Sequence, residues 1–162
     1  MAKTTDEMIE EFKSFTSYVR ELDSLSEQVW NTPIAEGKWT LKDVITHMML
    51  WDQYFYEEAI YKIKQDESLT VKHLNFDEFN ANSVEYSKTK SKKTIVEEFV
   101  EKRMNIINAI TGLDEEEYTR EYKDGDKKKF SIKKYVRAFI SHDKHHKKQI
   151  EAFKKTLRIA NN

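Results

Sequence analysis

Apolar side chains recur at every third or fourth position along most of the chain, which is the spacing of amphipathic helices. The first such segment covers about residues 4–30 and is followed by a connector, residues 33–39, that contains the only proline. A second helix is expected to begin at Thr40, with Asp43 as its capping partner, and to continue to about residue 65. These two segments are the first two predicted helices of the fold.

The rest of the chain contains two more long helical segments, predicted from Ser91 to Gly112 and from Ser131 to about Leu157. The stretch between the second and third long helices is less regular. Its apolar residues indicate a short helical piece inside a long connection; they are Phe76, Phe79, Val84 and Tyr86. A charged stretch before the last helix contains a predicted turn at residues 124–126. The pattern therefore predicts an all-α fold: a single domain over residues 1–162, formed by a four-helix bundle with an extra short helical segment in its middle connection.

Composition supports a helical domain and excludes several classes of function. The 162 residues include only three glycines and one proline, too few for the many turns of a sandwich or barrel. The formal net charge of −1 shows no basic excess, so nucleic-acid binding is not expected. The absence of cysteine excludes disulfides, a thiolate nucleophile and cysteine-based zinc sites.

The sequence also gives expectations about location. Residues 1–6 lack the apolar stretch of a signal peptide, and no apolar run approaches the length of a membrane span. Mean hydropathy is −0.82. We therefore expect a cytoplasmic protein without a membrane partner.

Histidines on the last predicted helix lie on its apolar face. The residues that follow one another at spacings of three and four are Tyr135, Phe139, His142, His146, Ile150 and Phe153. His142 and His146 are one turn apart and therefore close enough to bind the same metal ion. Two neutral imidazoles directed at one point are good ligands for zinc, nickel, iron or manganese.

A third histidine, His47, lies between Val44 and Trp51 on the apolar face of the second helix and is also expected to point inward. An unpartnered buried imidazole would cost on the order of 1–3 kcal/mol. One divalent ion shared by His47, His142 and His146 would remove that cost for all three. The alternative is a set of hydrogen-bonded core histidines without metal.

Other candidate residues receive simpler interpretations. His145 lies on the flank of the histidine stripe, at a cavity edge or on the surface, and His73 is expected to be solvated in a loop. Asp43 is a helix-terminal carboxylate that could also orient His47, one turn away. Asp52, next to the inward face, is a candidate catalytic base. The tryptophans of this region are expected to be packing residues; they are Trp39 and Trp51.

Two segments resemble motifs of the DinB/YfiT-like superfamily. Residues 37–52, GKWTLKDVITHMMLWD, are similar to its second-helix signature, and residues 142–150, HDKHHKKQI, are similar to its fourth-helix motif, H-x-x-x-H followed by x-G-Q. Lys148 stands where glycine is usual, whereas Gln149 is kept. The resemblance extends over nearly the whole chain. It implies a four-helix bundle of less common connectivity, often a homodimer, with a metal site at the positions of His47, His142 and His146.

The resemblance also implies a class of function. Some relatives are thiol S-transferases that use small thiols such as bacillithiol, and others are described as metal-dependent hydrolases. We therefore expect a metal-dependent enzyme whose substrate is a small molecule, with a low-molecular-weight thiol as a candidate second substrate. Two alternatives stay open: a metal-free bundle that sequesters a small molecule, like the ClbS/DfsB-like proteins, and a dimer in which the metal is a structural staple.

Overall fold

The computed structural model describes residues 3–160, so the two residues at each end of the predicted domain lie outside the described part of the chain. Four long helices form the bundle, and shorter elements fill the connections. In chain order the elements are α1 (Thr5–Leu22), α2 (Glu27–Trp30), α3 (Leu41–Phe55), a π-helical turn (Tyr56–Ile60), α4 (Tyr61–Lys64), α5 (Phe76–Lys88), α6 (Lys92–Ile110), α7 (Glu115–Thr119), β1 (Tyr122–Lys123), β2 (Lys129–Phe130) and α8 (Ile132–Ala160). The predicted all-α bundle and its extra helical segment are confirmed.

Each long helix begins next to a hydroxyl side chain that accepts a hydrogen bond from the backbone of the first turn. These residues are Thr4, Thr40, Ser91 and Ser131. At Thr40 the predicted capping box is present, because Asp43 also accepts from the Thr40 backbone N–H at 3.1 Å. Local sequence therefore determines where the bundle helices begin, because each hydroxyl accepts from a first-turn N–H group that would otherwise be unpaired.

The prediction of one continuous helix over residues 4–30 is wrong. Helix α1 ends at Leu22, and Ser26 then caps the separate short helix α2 by accepting from Val29 N–H. The break turns Trp30 into the core, where it is fully buried and donates from Nε1 to the Leu22 carbonyl at 2.9 Å. A new N-cap and a buried indole together outweigh the helical periodicity of this segment.

The second long helix continues beyond Phe55 without a gap, through the π-helical turn and α4, and ends at Lys64. Ala59 and Ile60 of the turn are fully buried. Ala59 packs with Leu69 and Val71 of the following connection. The short helix predicted in the middle connection is α5, which has 13 residues and packs against α3.

The predicted turn at residues 124–126 connects β1 and β2, a small antiparallel hairpin before α8. Gly125 approaches the connection after α4 closely: its N–H donates to the Val71 carbonyl, and a Cβ there would lie 2.7 Å from Lys72 Cγ. Only glycine fits this contact. Between residues 3 and 160, no helix is both long enough and apolar enough to cross a bilayer.

Candidate metal centre

Three histidines from two helices meet inside the bundle. His47 on α3 is 6% exposed and His146 on α8 is 8% exposed, with His142 half-buried between them. The Nε2 atom of His142 lies 3.3 Å from Nε2 of His47 and 3.1 Å from Nε2 of His146. One ligand nitrogen from each residue lies within 4.8 Å of the other two. We call His47, His142 and His146 the histidine cluster.

Amide oxygens hold the outer nitrogens of two of these rings. Nδ1 of His47 donates to Oδ1 of Asn80 on α5 at 2.9 Å, and Nδ1 of His146 donates to Oε1 of Gln149 at 2.9 Å. An amide oxygen can only accept, so Nδ1 carries the ring proton in both residues. The Nε2 atoms of His47 and His146 therefore present lone pairs to the interior of the cluster when the rings are neutral.

Burial keeps the rings neutral. Loss of solvation is the main cause of a pKa of about 4 for His47, and the positive charge that His146 would carry adds to it. The pKa of His142 falls to about 3, again chiefly through burial, and burial also lowers the pKa of His146. Near neutral pH the cluster therefore offers unprotonated nitrogens, the form that binds a metal ion.

The distances between these nitrogens fit a shared cation. His142 has at most one proton on Nε2 when neutral, and it can donate that proton to only one of its two neighbours. At least one of the two close nitrogen–nitrogen contacts therefore has no hydrogen bond. Two nitrogen ligands at the usual distance from a tetrahedral zinc ion lie about 3.3 Å apart. The observed 3.1 and 3.3 Å agree with that spacing, so the residues present fit a divalent metal ion.

Two cavities reach the histidine cluster. The larger cavity, about 560 Å³, contacts His146 and is lined by residues of the connector before α3 and of α8, among them Lys38, Trp39, Gln149 and Thr156. The smaller, about 360 Å³, contacts His47 and His142 and is otherwise lined by Trp51, Phe55, Phe76, Asn80 and Phe139. Both volumes lie within the range of small-molecule sites. The cluster is thus accessible to ligands from two directions.

The tryptophans have different roles in these walls. Trp51 is buried and stacks on Phe79, with ring centroids 3.9 Å apart, and it also lines the smaller cavity. Trp39 is half-buried, lies 5.1 Å from the His47 ring and lines the larger cavity. It therefore contributes to the cavity wall as well as to packing.

Asp52, the candidate base, lies away from solvent in a second polar cluster. It is fully buried, and both of its carboxylate oxygens accept hydrogen bonds from Arg103 on α6. Arg103 also donates twice to Asp143, the residue after His142. We call Asp52, Arg103 and Asp143 the arginine cluster. Its carboxylate is committed to this buried ion pair, and its role as a base stays a prediction of the sequence.

Asp43 does not orient His47. One of its oxygens caps α3 at Thr40, and the other accepts from the Ser87 hydroxyl. Asn80 takes the predicted role instead. A single polar residue in an irregular connection gives no signal in a search for apolar periodicity. The available clue was its position one turn after Phe76, on a helix that Asn75 caps.

The two other histidines stay outside the cluster, as expected. His145 is exposed on α8, with its ring 5.2 Å from that of His146. His73 is exposed in a connection, and its backbone N–H donates to Asp126. Lys148, which stands at the usual glycine position, is also exposed and lines neither cavity at the histidine cluster.

Comparison with known proteins gives one family and one fold. The sequence profile of the DinB superfamily matches residues 13–150, which include the whole histidine cluster. No curated protein sequence matches the chain significantly.

Several solved structures share the fold at low sequence identity. YfiT from Bacillus subtilis, described as "a probable metal-dependent hydrolase with an unusual four-helix bundle topology", has a TM-score of 0.77 at 14% identity, over 96% of this chain and 90% of its own. An uncharacterized protein from Clostridium difficile 630 also has a TM-score of 0.77, at 15% identity, over 96% and 98% of the two chains. A mycothiol-dependent maleylpyruvate isomerase has a TM-score of 0.68 at 14% identity, over 89% of this chain and 59% of its own.

Proposed function

The chain belongs to the DinB superfamily, and from this membership we propose that it is a metal-dependent enzyme acting on a small molecule. The proposed ligands of one divalent ion are His47, His142 and His146. One observation carries the proposal: Nε2 of His142 lies 3.1 Å from Nε2 of His146 and 3.3 Å from Nε2 of His47, and its single proton can bridge only one of these contacts. The candidate ions are zinc, nickel, iron and manganese, all of which accept imidazole ligands.

The chain's own residues give the site the features of a catalytic centre. Asn80 and Gln149 fix the ring orientations of His47 and His146 and keep their Nε2 atoms unprotonated. The two cavities leave the cluster open to ligands. A divalent ion with three protein ligands keeps open coordination positions and lowers the pKa of a water molecule or thiol bound there.

Two reaction types fit this site. The first is hydrolysis of a small molecule, the activity suggested in the description of YfiT. The second is S-transfer from a low-molecular-weight thiol such as bacillithiol, which the mycothiol dependence of the isomerase supports. The chain has no cysteine, so the thiol must be a second substrate. Two cavities that contact different imidazoles favour a two-substrate reaction of this second type.

A metal-free sequestering bundle and a metal-stapled dimer are the competing functions. The first requires a protein without stoichiometric metal, and the second requires a closed site without turnover. The homodimer and the cytoplasmic location stay predictions of the sequence.

Metal analysis of untagged protein tests the ligand assignment. We expect about one metal ion per chain in the wild type and loss of that ion in His47→Ala and His146→Ala, with helical circular dichroism unchanged. The matched control is His145→Ala, which removes an exposed histidine from the same helix and should keep the metal. Full metal content in either cluster variant would overturn the assignment.

Turnover then separates an enzyme from a staple. The metal-loaded protein is assayed with bacillithiol and a panel of electrophiles, and separately with a panel of esters and amides without thiol. Metal-dependent product in the first assay identifies a transferase, and in the second a hydrolase. A loaded protein whose metal exchanges no ligand with an added imidazole or thiol would be a structural staple.

A further inference from the structure

The smaller cavity beside the histidine cluster has walls made almost entirely of aromatic rings. On α3, His47, Trp51 and Phe55 follow one another at intervals of four and so share one face. Phe76 and Asn80 on α5 have the same interval, and Phe139 and His142 on α8 are three apart. Three helices thus enclose one space between them.

These rings hold one another in place, so the cavity is formed before any ligand arrives. Phe139 meets Phe55 edge to face at a centroid distance of 5.0 Å and lies 5.4 Å from the His142 ring. Trp51 is fixed by its stack on Phe79. Such edge-to-face and stacked pairs stabilise a particular ring orientation. A preformed wall lowers the entropic cost of binding a flat apolar ligand.

The cavity's size and polarity indicate what it can hold. An apolar cavity of about 150 Å³ accepts benzene. At about 360 Å³ this one has room for a two-ring aromatic group. No charged side chain of residues 3–160 lines it; His47 and His142 belong to the histidine cluster, Asn80 is hydrogen-bonded to His47, and the other lining residues are Trp51 and three phenylalanines. A ligand with a reacting group at one end and an uncharged ring at the other would match this distribution.

Phe76 marks the entrance. It lies in the first turn of α5 and is 52% exposed, although it contacts Trp51 at a centroid distance of 5.6 Å. The other exposed large apolar residue among those described is Tyr61, which lines neither cavity at the cluster. A ring bound in the cavity would cover part of Phe76, and burial of that exposed apolar surface would favour binding.

We propose that this aromatic cavity binds an uncharged aromatic group of the substrate, with Phe76 as a specificity-determining residue at its entrance. The proposal rests on the proposed function for the identity of the reacting end. Binding of the ring depends on the cavity alone.

The first test uses protein freed of metal with a chelator and titrates 2-naphthol, which is neutral at pH 7, by isothermal titration calorimetry. We expect binding to the wild type and an affinity roughly two- to tenfold weaker for Phe76→Ala, from the loss of one aromatic contact. Tyr61→Ala is the matched control for an exposed aromatic and should bind as the wild type does.

A second control assigns the ring to the correct cavity. Ala152→Phe narrows the larger cavity, because Ala152 lines it and is exposed on α8. We expect no change in 2-naphthol affinity for this variant. Absence of binding to the wild type, equal binding by Phe76→Ala, or weaker binding in Ala152→Phe alone would each overturn the proposal.

A third measurement relates the cavity to the metal. With zinc-loaded protein, benzohydroxamate and acetohydroxamate present the same chelating group, so the ratio of their affinities reports on the ring. We expect a preference for benzohydroxamate that falls in Phe76→Ala, and equal affinities would contradict the proposal. If zinc does not bind at all, the metal assignment fails while the 2-naphthol result still decides the cavity.

Discussion

The same two helices, α3 and α8, contribute to two buried polar clusters whose polar atoms are paired in different ways. The histidine cluster takes His47 from α3 and His142 from α8, whereas the arginine cluster takes Asp52 and Asp143 from those helices. In the arginine cluster α6 supplies the cation. In the histidine cluster the inward-facing atoms are nitrogens with lone pairs.

The arginine cluster is complete within the chain. Arg103 makes five hydrogen bonds, two to Asp52, two to Asp143 and one to the Phe12 carbonyl, which equals the number of its N–H donors. Its guanidinium also lies 3.9 Å from the Phe12 ring centroid. Opposite charges outweigh burial at Arg103, whose pKa rises above its usual value, while burial raises the pKa of Asp143 to about 6. A cluster in which every donor of the arginine is used and both carboxylates are paired with it is structural.

The histidine cluster differs in how its polar atoms are paired. Its outer nitrogens are paired with Asn80 and Gln149, but its inner nitrogens are not matched by enough donors, and cavities adjoin it. Buried polar residues indicate a structural cluster where the protein's own donors and charges pair with all of them. They indicate a functional site where some of these atoms are left without a partner from the chain.

Removing the chain's own cation should have the largest effect. Arg103→Met leaves two carboxylates buried without a partner, and we expect a loss of about 3–5 kcal/mol in the free energy of unfolding. Urea denaturation followed by circular dichroism measures it. Adding Asp52→Asn and Asp143→Asn to the same chain should recover part of the loss, because the buried charge is then removed. An Arg103→Met protein as stable as the wild type would show that the arginine cluster is not structural.

Removing the residue that accepts a hydrogen bond from an outer ring nitrogen should have a smaller effect. We expect it to change metal affinity and not the stability of the fold. We expect Asn80→Ala to weaken zinc binding about 10- to 100-fold, because the His47 ring loses the acceptor that fixes its orientation and proton position. Competition with a chromophoric chelator measures the affinity. Asn82→Ala, an exposed amide on the same helix, is the control. Unchanged affinity in Asn80→Ala would mean that the hydrogen bond does not support the site.

The smallest effect is expected at Lys148, the position where the fourth-helix motif usually has glycine. Lys148→Gly should reduce the free energy of unfolding by about 0.5–1 kcal/mol, because glycine costs more entropy than lysine in a helix interior. Zinc affinity should not change, since the lysine side chain is exposed. Thermal unfolding and the same chelator competition measure the two quantities. A change in zinc affinity would show that this position acts on the histidine cluster.

Local patterns were enough to predict much of the fold. Hydroxyl caps and apolar stripes gave the long helices, and the stripe through Tyr135, His142 and Phe153 gave the inward direction of the last one. The break between α1 and α2 was missed because Ser26 and Trp30 also fit helical periodicity. Their cap and their burial depend on packing that the sequence pattern does not show.

The histidine cluster was predictable for the same reason, since each of its residues lies on an apolar face. The arginine cluster was not. Arg103 lies on the apolar stripe of α6 between Phe99 and Ile106, which indicates burial, but its partners Asp52 and Asp143 come from two other helices and the sequence does not show that the three meet. An isolated arginine in a helical pattern is normally solvated. Asn80 was missed for a related reason, because its role depends on α5 packing against α3.

The π-helical turn at Tyr56–Ile60 has a consequence for how this chain can vary in length. A π turn accommodates one residue more than a regular helical turn, and each residue rotates a helix by about 100°. Deleting one residue within the turn would convert it to regular α-helix and keep the residues after it, as well as those before it, on nearly their present faces. Deleting one residue from a regular turn of α3 would instead rotate everything after it by about 100° and move Ala59 and Ile60 out of the interior. The π-helical turn is therefore the place where this rod can lose a residue without changing the relation between the half that carries His47 and the half that follows the turn.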